Sequence, residues 1–292
     1  MASGSYGQPF PASATYSTAP LALHSRQRVT HDPTLLGMGL LVGLLPSGLF
    51  ALIAVPALVV GGTPSLTDPT TATPSGIALA VAGWLSSVLT IALSGGIVAA
   101  VSSEADGKPV TVGGALTLAA RRWRELGAWA VLRTVLGLAG VALEKLGLGG
   151  RILETIASIG FAIATIFALP AIVVSGAMPG EAIMTSSRMV RGTFGLTMRT
   201  NLRVLTPWLL VAFLSATVAI VGLAVMARFE SDVPTWSAAG AILAALGTVG
   251  FFVACGLQTA VSACVNTLIY RHGIGLPTPG VDPWSLPVRK DV

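Results

Sequence analysis

Residues 35–60 read LLGMGLLVGLLPSGLFALIAVPALVV, an apolar stretch without a charged side chain. A helix needs about 20 such residues to cross the hydrocarbon core of a bilayer. Similar stretches follow at residues 77–101, 126–143, 155–175, 204–227 and 238–270. The sequence therefore predicts an all-α fold, a polytopic membrane bundle of six transmembrane helices.

The composition agrees with this prediction. Hydrophobic residues make up 53% of the 292-residue chain and charged residues only 10%, whereas about 25% of the residues in a typical soluble domain are charged. We expect one transmembrane domain over residues 31–272. Before it we expect a disordered cytoplasmic tail over residues 1–30, and after it a Pro-rich cytoplasmic tail over residues 273–292.

The distribution of basic residues predicts the orientation of the spans. Most of the 17 Lys and Arg residues fall in the two tails and in the loops after the second and fourth spans. Only Lys145, Arg151 and Arg228 fall in the loops between. By the positive-inside rule, both termini of this multi-pass protein are cytoplasmic and the expected location is the plasma (cell) membrane. The net charge of +5 then reflects topology, and no nucleic-acid partner is expected.

Each basic loop contains a predicted amphipathic helix, near residues 112–124 and 182–194. Their arginines form an expected inner-leaflet basic belt of Arg121, Arg122, Arg124, Arg188 and Arg191. Two such cytoplasmic interfacial helices would lie in the headgroup region beside the spans. Anionic inner-leaflet lipids are the expected partners, and a docking face for a cytoplasmic protein is the alternative.

The two basic loops also resemble each other in sequence. With one constant offset and no gap, Ala115 aligns with Ala182, Leu116 with Ile183, Arg121 with Arg188 and Arg124 with Arg191. Each segment leads into a pair of spans, so the pattern indicates a repeated unit of one interfacial helix and one transmembrane hairpin. The units run in parallel, because an even number of spans separates them.

Small residues at four-residue spacing predict helix contacts. Gly39 and Gly43 form such a face in the first span, and Gly256 and Ala260 form one in the sixth. In lipid, faces of this kind let two backbones approach closely. They are packing devices far more often than functional sites.

Prolines inside the spans are candidate hinges. Pro46 lies in the first span and Pro170 in the fourth. Each proline removes a backbone hydrogen bond and can kink its helix. The freed carbonyl then needs a partner in the bundle or in a wet cavity, so both prolines are candidates for a gate or pocket lining. A static kink is the alternative.

No catalytic or metal-binding pattern stands out in the sequence. The three histidines lie outside the predicted spans, and HExxH, G-x-S-x-G, CxxC and Walker-type motifs are missing. Near the membrane boundary, Glu144 and Glu154 lie close to Lys145 and Arg151, and we interpret them as an interfacial ion-pair cluster. We therefore expect a protein that is not an enzyme and that needs no metal and no cofactor.

Arg133 is the charged residue that falls within a predicted span. It lies two turns past Glu125, about 12 Å along a helix, and an ionisable residue in the membrane indicates a functional site. The alternative is that its side chain reaches the inner headgroups. Gln258 and Asn266, in the sixth span, would complete a site for an anionic headgroup or small anion if they face Arg133. Interhelical hydrogen bonding is the alternative for these two.

One set of motifs carries a resemblance. The motifs are FALP at residues 167–170, PGEAI at 179–183 and RGTFG at 191–195, where a proline-ended span leads into an Ala/Ser/Arg helix. Residues 115–203 thereby resemble a group of uncharacterised six-span prokaryotic integral membrane proteins and, more distantly, the membrane domain attached to some glycerophosphodiester phosphodiesterases. The resemblance implies a membrane fold. No catalytic residues transfer, because the chain lacks a phosphodiesterase domain.

These observations favour a non-enzymatic integral membrane protein that organises or helps to move lipids or other amphiphiles, or that serves as a subunit of a membrane complex. The alternative is a permease-like transporter of a small or amphiphilic solute, with an anion as the candidate, whose pocket includes Arg133 and the two proline kinks. A membrane enzyme is the third hypothesis, and it requires a wet cavity that gathers Glu154, Arg133 and Asn266. The expected partners are the lipid bilayer and either a membrane protein or a second copy of the chain.

Overall fold

The computed structural model describes residues 19–61, 74–144, 148–228 and 234–278, and over these ranges the chain is helical without β-strands. In chain order the helices are α1 (Ala19–His31), α2 (Pro33–Gly61), α3 (Pro74–Ala105), α4 (Val112–Ala120), α5 (Trp123–Glu144), α6 (Leu148–Ala164), α7 (Ala168–Pro170), α8 (Pro179–Arg228) and α9 (Pro234–Gly273). A π-helical turn, Ala171–Ser175, lies between α7 and α8. The predicted all-α fold class is confirmed.

Several of these helices are long and apolar enough to cross a membrane. Within the described ranges, four helices qualify, namely Pro33–Val60, Pro74–Ala105, Met198–Arg228 and Trp236–Gly273. A fifth span results if Arg151–Ala164 and Ala168–Ser175, which are bent by 44°, count as one. The helix α5, which carries Arg124, Glu125 and Arg133, does not qualify. A multi-pass membrane protein is thus supported, whereas the six-span count is not confirmed.

The two basic segments fold differently from each other. The first contains a short separate helix, α4, which begins after Thr111, whose Oγ1 accepts a hydrogen bond from the amide of Gly114 at 3.3 Å. The second is the first part of α8, which continues through Pro207 to Arg228. Glycines at 192 and 195 lower helix propensity without ending the helix. Two separate interfacial helices are therefore not confirmed.

Aligned positions of the two basic segments nevertheless have matching environments. Ala115 and Ala182 are both fully buried, and Arg121 and Arg188 are both exposed. The match agrees with the predicted repeat over the interfacial segment. The helix boundaries do not match, because α4 ends at Ala120 whereas the second segment continues as one helix, α8, into its span.

The first helix corrects part of the predicted N-terminal tail. Disorder was expected over residues 1–30, but α1 begins at Ala19. Leu21, Ser25 and Val29 recur every fourth residue and are buried, so one face of α1 packs into the bundle and burial stabilises the helix. Residues 1–18 lie outside the described part of the chain, as do residues 279–292 of the Pro-rich tail.

The core of the bundle lies at one end, called here the packed end. Two whole helices, α1 and α4, pack there. They contact the last turns of α3 and α9 and the first turns of α2, α5 and α8. Met38, Ile97 and Leu268 are fully buried in this region. At the opposite end of α2, Leu52 and Val60 are 73% and 88% exposed. A bilayer is the solvent that suits apolar surface of this extent.

The small-residue faces predicted on the first and last spans are helix contacts, and the structure packs them against each other. A Cβ atom built on Gly256 would lie 2.7 Å from the Cα of Gly43, and one built on Gly39 would lie 3.1 Å from the Cβ of Ala260. The backbones of α2 and α9 are therefore close enough that a larger side chain at Gly256 would have to push the helices apart.

Candidate functional site

A cavity of about 740 Å³ opens between α3, α5 and α6. Most of its wall is apolar, and the rings of Trp129 and Phe161 stack within it, with centroids 6.1 Å apart. Its polar lining consists of Arg133, Glu154 and the hydroxyls of Thr90, Ser94, Ser158 and Thr165. The cavity thus combines an apolar wall with one cation and one anion.

Two contacts define how α5 and α6 build this cavity. Trp129 meets Phe161 near the start of α5, and Glu154 lies against Gly140 further along, because a Cβ built on Gly140 would be 3.6 Å from the Cγ of Glu154. The residue that comes later on α5, Gly140, contacts the one that comes earlier on α6, Glu154, so α5 and α6 form an antiparallel hairpin.

The two charged groups lie at different levels of the cavity. Arg133 is about 15 Å along α5 from Trp123, and Gly140, beside Glu154, is about 10 Å further on. Among the described residues, no ion pair joins Arg133 to Glu154. The Arg133 guanidinium and the Glu154 carboxylate can therefore each contact a separate group of one extended ligand.

The hydroxyls in the lining are turned mainly toward their own helices. Thr90 donates to the carbonyl of Ser86 at 2.8 Å, Thr165 donates to that of Phe161 at 2.8 Å, and Ser158 donates to that of Thr155 at 3.0 Å. A hydroxyl that donates to its backbone keeps its oxygen lone pairs free to accept. These groups make the wall weakly polar without adding charge.

The predicted grouping of Arg133 with Gln258 and Asn266 is not formed. Gln258 and Asn266 lie on α9, which does not line the cavity. The Asn266 Oδ1 accepts a hydrogen bond from Asn201 Nδ2 on α8 at 3.3 Å, which is the interhelical alternative. The charged residue that shares the cavity with Arg133 is instead Glu154, because the hairpin turns the α6 carboxylate toward α5.

Of the two candidate hinges, only Pro170 lies beside a break. The helix α6 ends at Ala164 and α7 begins at Ala168, because the proline ring cannot pack against the carbonyl four residues earlier. The amide of Phe167 donates instead to the buried Ser186 Oγ on α8 at 3.0 Å. By contrast, α2 continues without a break through the buried Pro46.

The members of the expected basic belt differ in how far they are exposed. Four of its members are exposed, namely Arg121, Arg124, Arg188 and Arg191. Arg122 is half-buried, and its guanidinium lies on Gly176, where a Cβ would be 2.7 Å from the Arg122 Cζ. Gly176 has a φ of 69°, so a side chain there would be both strained and obstructed.

A second charged group lies at the packed end and was not predicted. The fully buried Arg271 donates to the Ser102 Oγ at 2.7 Å and to the carbonyl of Pro277 at 3.2 Å, and it pairs with Asp106. The sequence signal for this group was Asp106, an acidic residue directly after α3. Because the guanidinium of Arg271 is surrounded by protein acceptors, this group is a structural connection.

Comparisons of this chain with protein-family models, with curated proteins and with solved structures find no match. The resemblance of residues 115–203 to six-span membrane proteins therefore stays a prediction based on its motifs. The starting point for assigning a function is the cavity itself, with its apolar wall, its cation and its anion.

Proposed function

We propose that this protein is a non-enzymatic integral membrane protein that binds a lipid or another amphiphile in the cavity between α3, α5 and α6, and so organises lipids or helps to move them. The observation that carries the proposal is the presence of Arg133 and Glu154 in a largely apolar cavity of about 740 Å³. Cavities that bind small ligands typically measure about 300–1,000 Å³, so the volume suits a headgroup with part of its acyl chains.

The charges favour an amphiphile with an anionic group. A guanidinium binds phosphate or carboxylate through paired, charge-assisted hydrogen bonds. Arg133 is exposed, so an anionic group can reach it from the surrounding bilayer, and an ionisable residue at membrane depth is a candidate functional site. The Glu154 carboxylate, at the other level, would accept hydrogen bonds from an ammonium group. A zwitterionic phospholipid headgroup meets both requirements.

The cavity is accessible from outside the bundle. Several lining residues on α5 are exposed, including Leu136, Gly137 and Ala139. In a bilayer, acyl chains would reach the cavity sideways between α5 and α3. This access favours a ligand that comes from the lipid phase over one that diffuses in from water.

Binding is favoured over catalysis by the chemistry of the lining. Its described residues include no histidine and no cysteine, and the hydroxyls of Thr90, Ser158 and Thr165 donate to their own helices rather than to Glu154, so no nucleophile is paired with a general base there. The enzyme hypothesis required Asn266 in the same cavity, and Asn266 is bonded to Asn201 instead.

The proposed topology has six spans with both termini in the cytoplasm, in the plasma membrane. The helix α5 has 22 residues, which is about 33 Å of helix and long enough to cross a bilayer core. The proposal counts α5 and the bent α6–α7 pair as spans in addition to the four long helices. The positive-inside rule then favours the cytoplasmic side of the membrane for the packed end. The exposed belt arginines would then contact anionic inner-leaflet lipids. We also propose that the lipid-facing side of the bundle contacts either a membrane-protein partner or a second copy of the chain.

A permease-like transporter that uses the same cavity is the second candidate. It is favoured by the bend of 44° beside Pro170, because Leu169 of α7 lines the cavity and discontinuous helices often form transport sites. Flux of a fluorescent anionic lipid or a small anion across proteoliposomes distinguishes this candidate from binding alone.

The test of the proposed function is native mass spectrometry of the purified protein with added phosphatidylethanolamine, whose headgroup carries both a phosphate and an ammonium group. We expect Arg133→Gln to reduce the bound fraction about tenfold, because a hydrogen bond to a charged group contributes about 1.5–3 kcal/mol. The matched control is Arg124→Gln, which removes an exposed arginine from the same helix outside the cavity. Equal binding by the Arg133→Gln variant and the wild type would refute the proposal.

A further inference from the structure

We propose that Arg26 of α1 and Arg203 of α8 form a second lipid site, which holds the phosphate of an anionic phospholipid at the membrane boundary. This pair is called here the Arg26–Arg203 clamp. It lies on other helices than the α3–α5–α6 cavity, so it does not depend on the proposed function.

The two arginines line one small cavity of about 180 Å³. The guanidinium carbon of Arg26 lies 5.9 Å from the ring centroid of Trp208. A cation over an indole face at this distance is attracted to the ring, so the ring limits the directions in which Arg26 can point. The guanidinium of Arg26 is thereby held near the cavity that Arg203 also lines.

The charges around the clamp favour an anion. No acidic side chain is among the described residues that line this cavity. A phosphate in this cavity would contact two arginines that line it, and guanidinium groups bind phosphate through charge-assisted hydrogen bonds.

The surroundings of the clamp favour a lipid phosphate over free phosphate. Arg203 is near the start of the candidate span Met198–Arg228, and Trp208 follows it within the span. Tryptophan is enriched where spans meet the headgroup region. Leu23, Pro207 and Val261 form an apolar wall beside the arginines, which suits the glycerol and first acyl carbons of a phospholipid.

The position of α1 explains why the site is open. The face that carries Leu21 and Val29 is buried against the bundle, and α1 contacts both α8 and α9. Arg26 is on the exposed side of α1. The clamp therefore occupies the groove along the edge where α1 meets α8, accessible from the surrounding membrane.

The experiment uses the full chain in phosphatidylcholine nanodiscs that contain a minor fraction of phosphatidylglycerol. The protein is released in the mass spectrometer and the retained lipids are identified. We expect the wild type to retain phosphatidylglycerol preferentially, and the Arg26→Gln/Arg203→Gln double variant to retain about tenfold less at this site. The matched control is Arg228→Gln, which removes an exposed arginine from α8 outside both the cavity and the basic belt.

Each outcome has a defined meaning. Unchanged retention in the double variant overturns the clamp, provided that its melting temperature matches that of the wild type. Displacement of the lipid by inorganic phosphate also overturns it, because the ligand would then be a soluble phosphate. The Arg133→Gln variant is expected to keep the lipid at the clamp and to lose the one in the cavity, so failure of either site is recognised separately.

Discussion

The guanidinium of Arg271, at the end of α9, donates a hydrogen bond to the hydroxyl of Ser102, near the end of α3, over 2.7 Å. The same guanidinium donates to the carbonyl of Pro277 and pairs with Asp106. The side chain of Arg271 is only 1% exposed. One buried cation therefore joins α3, α9 and the segment after α9 at the packed end.

Replacement of this cation is expected to destabilise the fold. The variant Arg271→Met should lower the free energy of unfolding by about 2–3 kcal/mol, since it leaves buried acceptors without a charged donor. The loss is smaller than for a fully buried pair, because the side chain of Asp106 is 48% exposed. Thermal unfolding in detergent measures the change. Arg188→Met, at an exposed position, is the control, and equal melting of the two variants would contradict the role of Arg271.

Close approach of α2 and α9 is expected to depend on Gly256. Its added Cβ would meet the Gly43 backbone at 2.7 Å, so Gly256→Ala should cost about 1–3 kcal/mol through overpacking. Gly48→Ala is the matched control, since nothing lies within 4 Å of a Cβ at Gly48, and an alanine in an open helix position should be neutral or stabilising. Denaturant unfolding of both variants measures the difference. A loss of similar size at both sites would show that the contact is not specific.

The contact faces of α2 and α9 were predictable, because small residues at four-residue spacing are a local pattern that identifies a contact surface, whereas the pairing of these two faces was not. The cavity was predicted only in part. The position of Arg133 in a span identified it as a candidate, but its neighbour depends on how the α5–α6 hairpin is rotated. Sequence spacing defines a helix face without saying which other face it meets. For that reason Glu154 was assigned to a boundary cluster, and Asn266 was left with two alternatives, of which the structure shows the interhelical hydrogen bond.

Helix boundaries at the two basic segments were harder to predict for a related reason. A helical period continues across an interfacial segment and a following span alike, so the pattern does not show whether the chain turns between them. The first segment ends at Ala120, and the second continues as α8 to Arg228. The burial of α1 escaped prediction because its apolar face consists of only a few residues in a polar context.

Ser186 is expected to stabilise the break that precedes Pro170. Its buried hydroxyl accepts the hydrogen bond of the Phe167 amide, a donor that has lost its helical partner. Ser186→Ala leaves this buried amide unpaired and should cost about 1–3 kcal/mol. The neighbouring Ser187 donates to the Met184 carbonyl of its own helix, so Ser187→Ala should change stability by at most about 0.5 kcal/mol. Thermal unfolding of the two alanine variants decides the matter, and a smaller loss at Ser186 than at Ser187 would contradict this account.

Filling the α3–α5–α6 cavity should abolish ligand binding without loss of stability. Gly137 lines the cavity, and a Cβ built there has no atom within 4 Å, so Gly137→Trp can place its ring in the open space. Gly127 is also on α5 with no atom within 4 Å of its Cβ, but it does not line the cavity. Gly127→Trp therefore controls for the effect of an added indole on α5.

We expect the Gly137→Trp variant to lose bound phosphatidylethanolamine by about tenfold or more, as for removal of a contact worth at least 1.4 kcal/mol, with a melting temperature equal to that of Gly127→Trp. Native mass spectrometry and thermal unfolding measure the two quantities. Because this substitution leaves both charges in place, it separates occupancy of the cavity from long-range attraction by Arg133. Full lipid retention in the Gly137→Trp variant would place the bound lipid elsewhere on the protein, with the Arg26–Arg203 clamp as the next position to test.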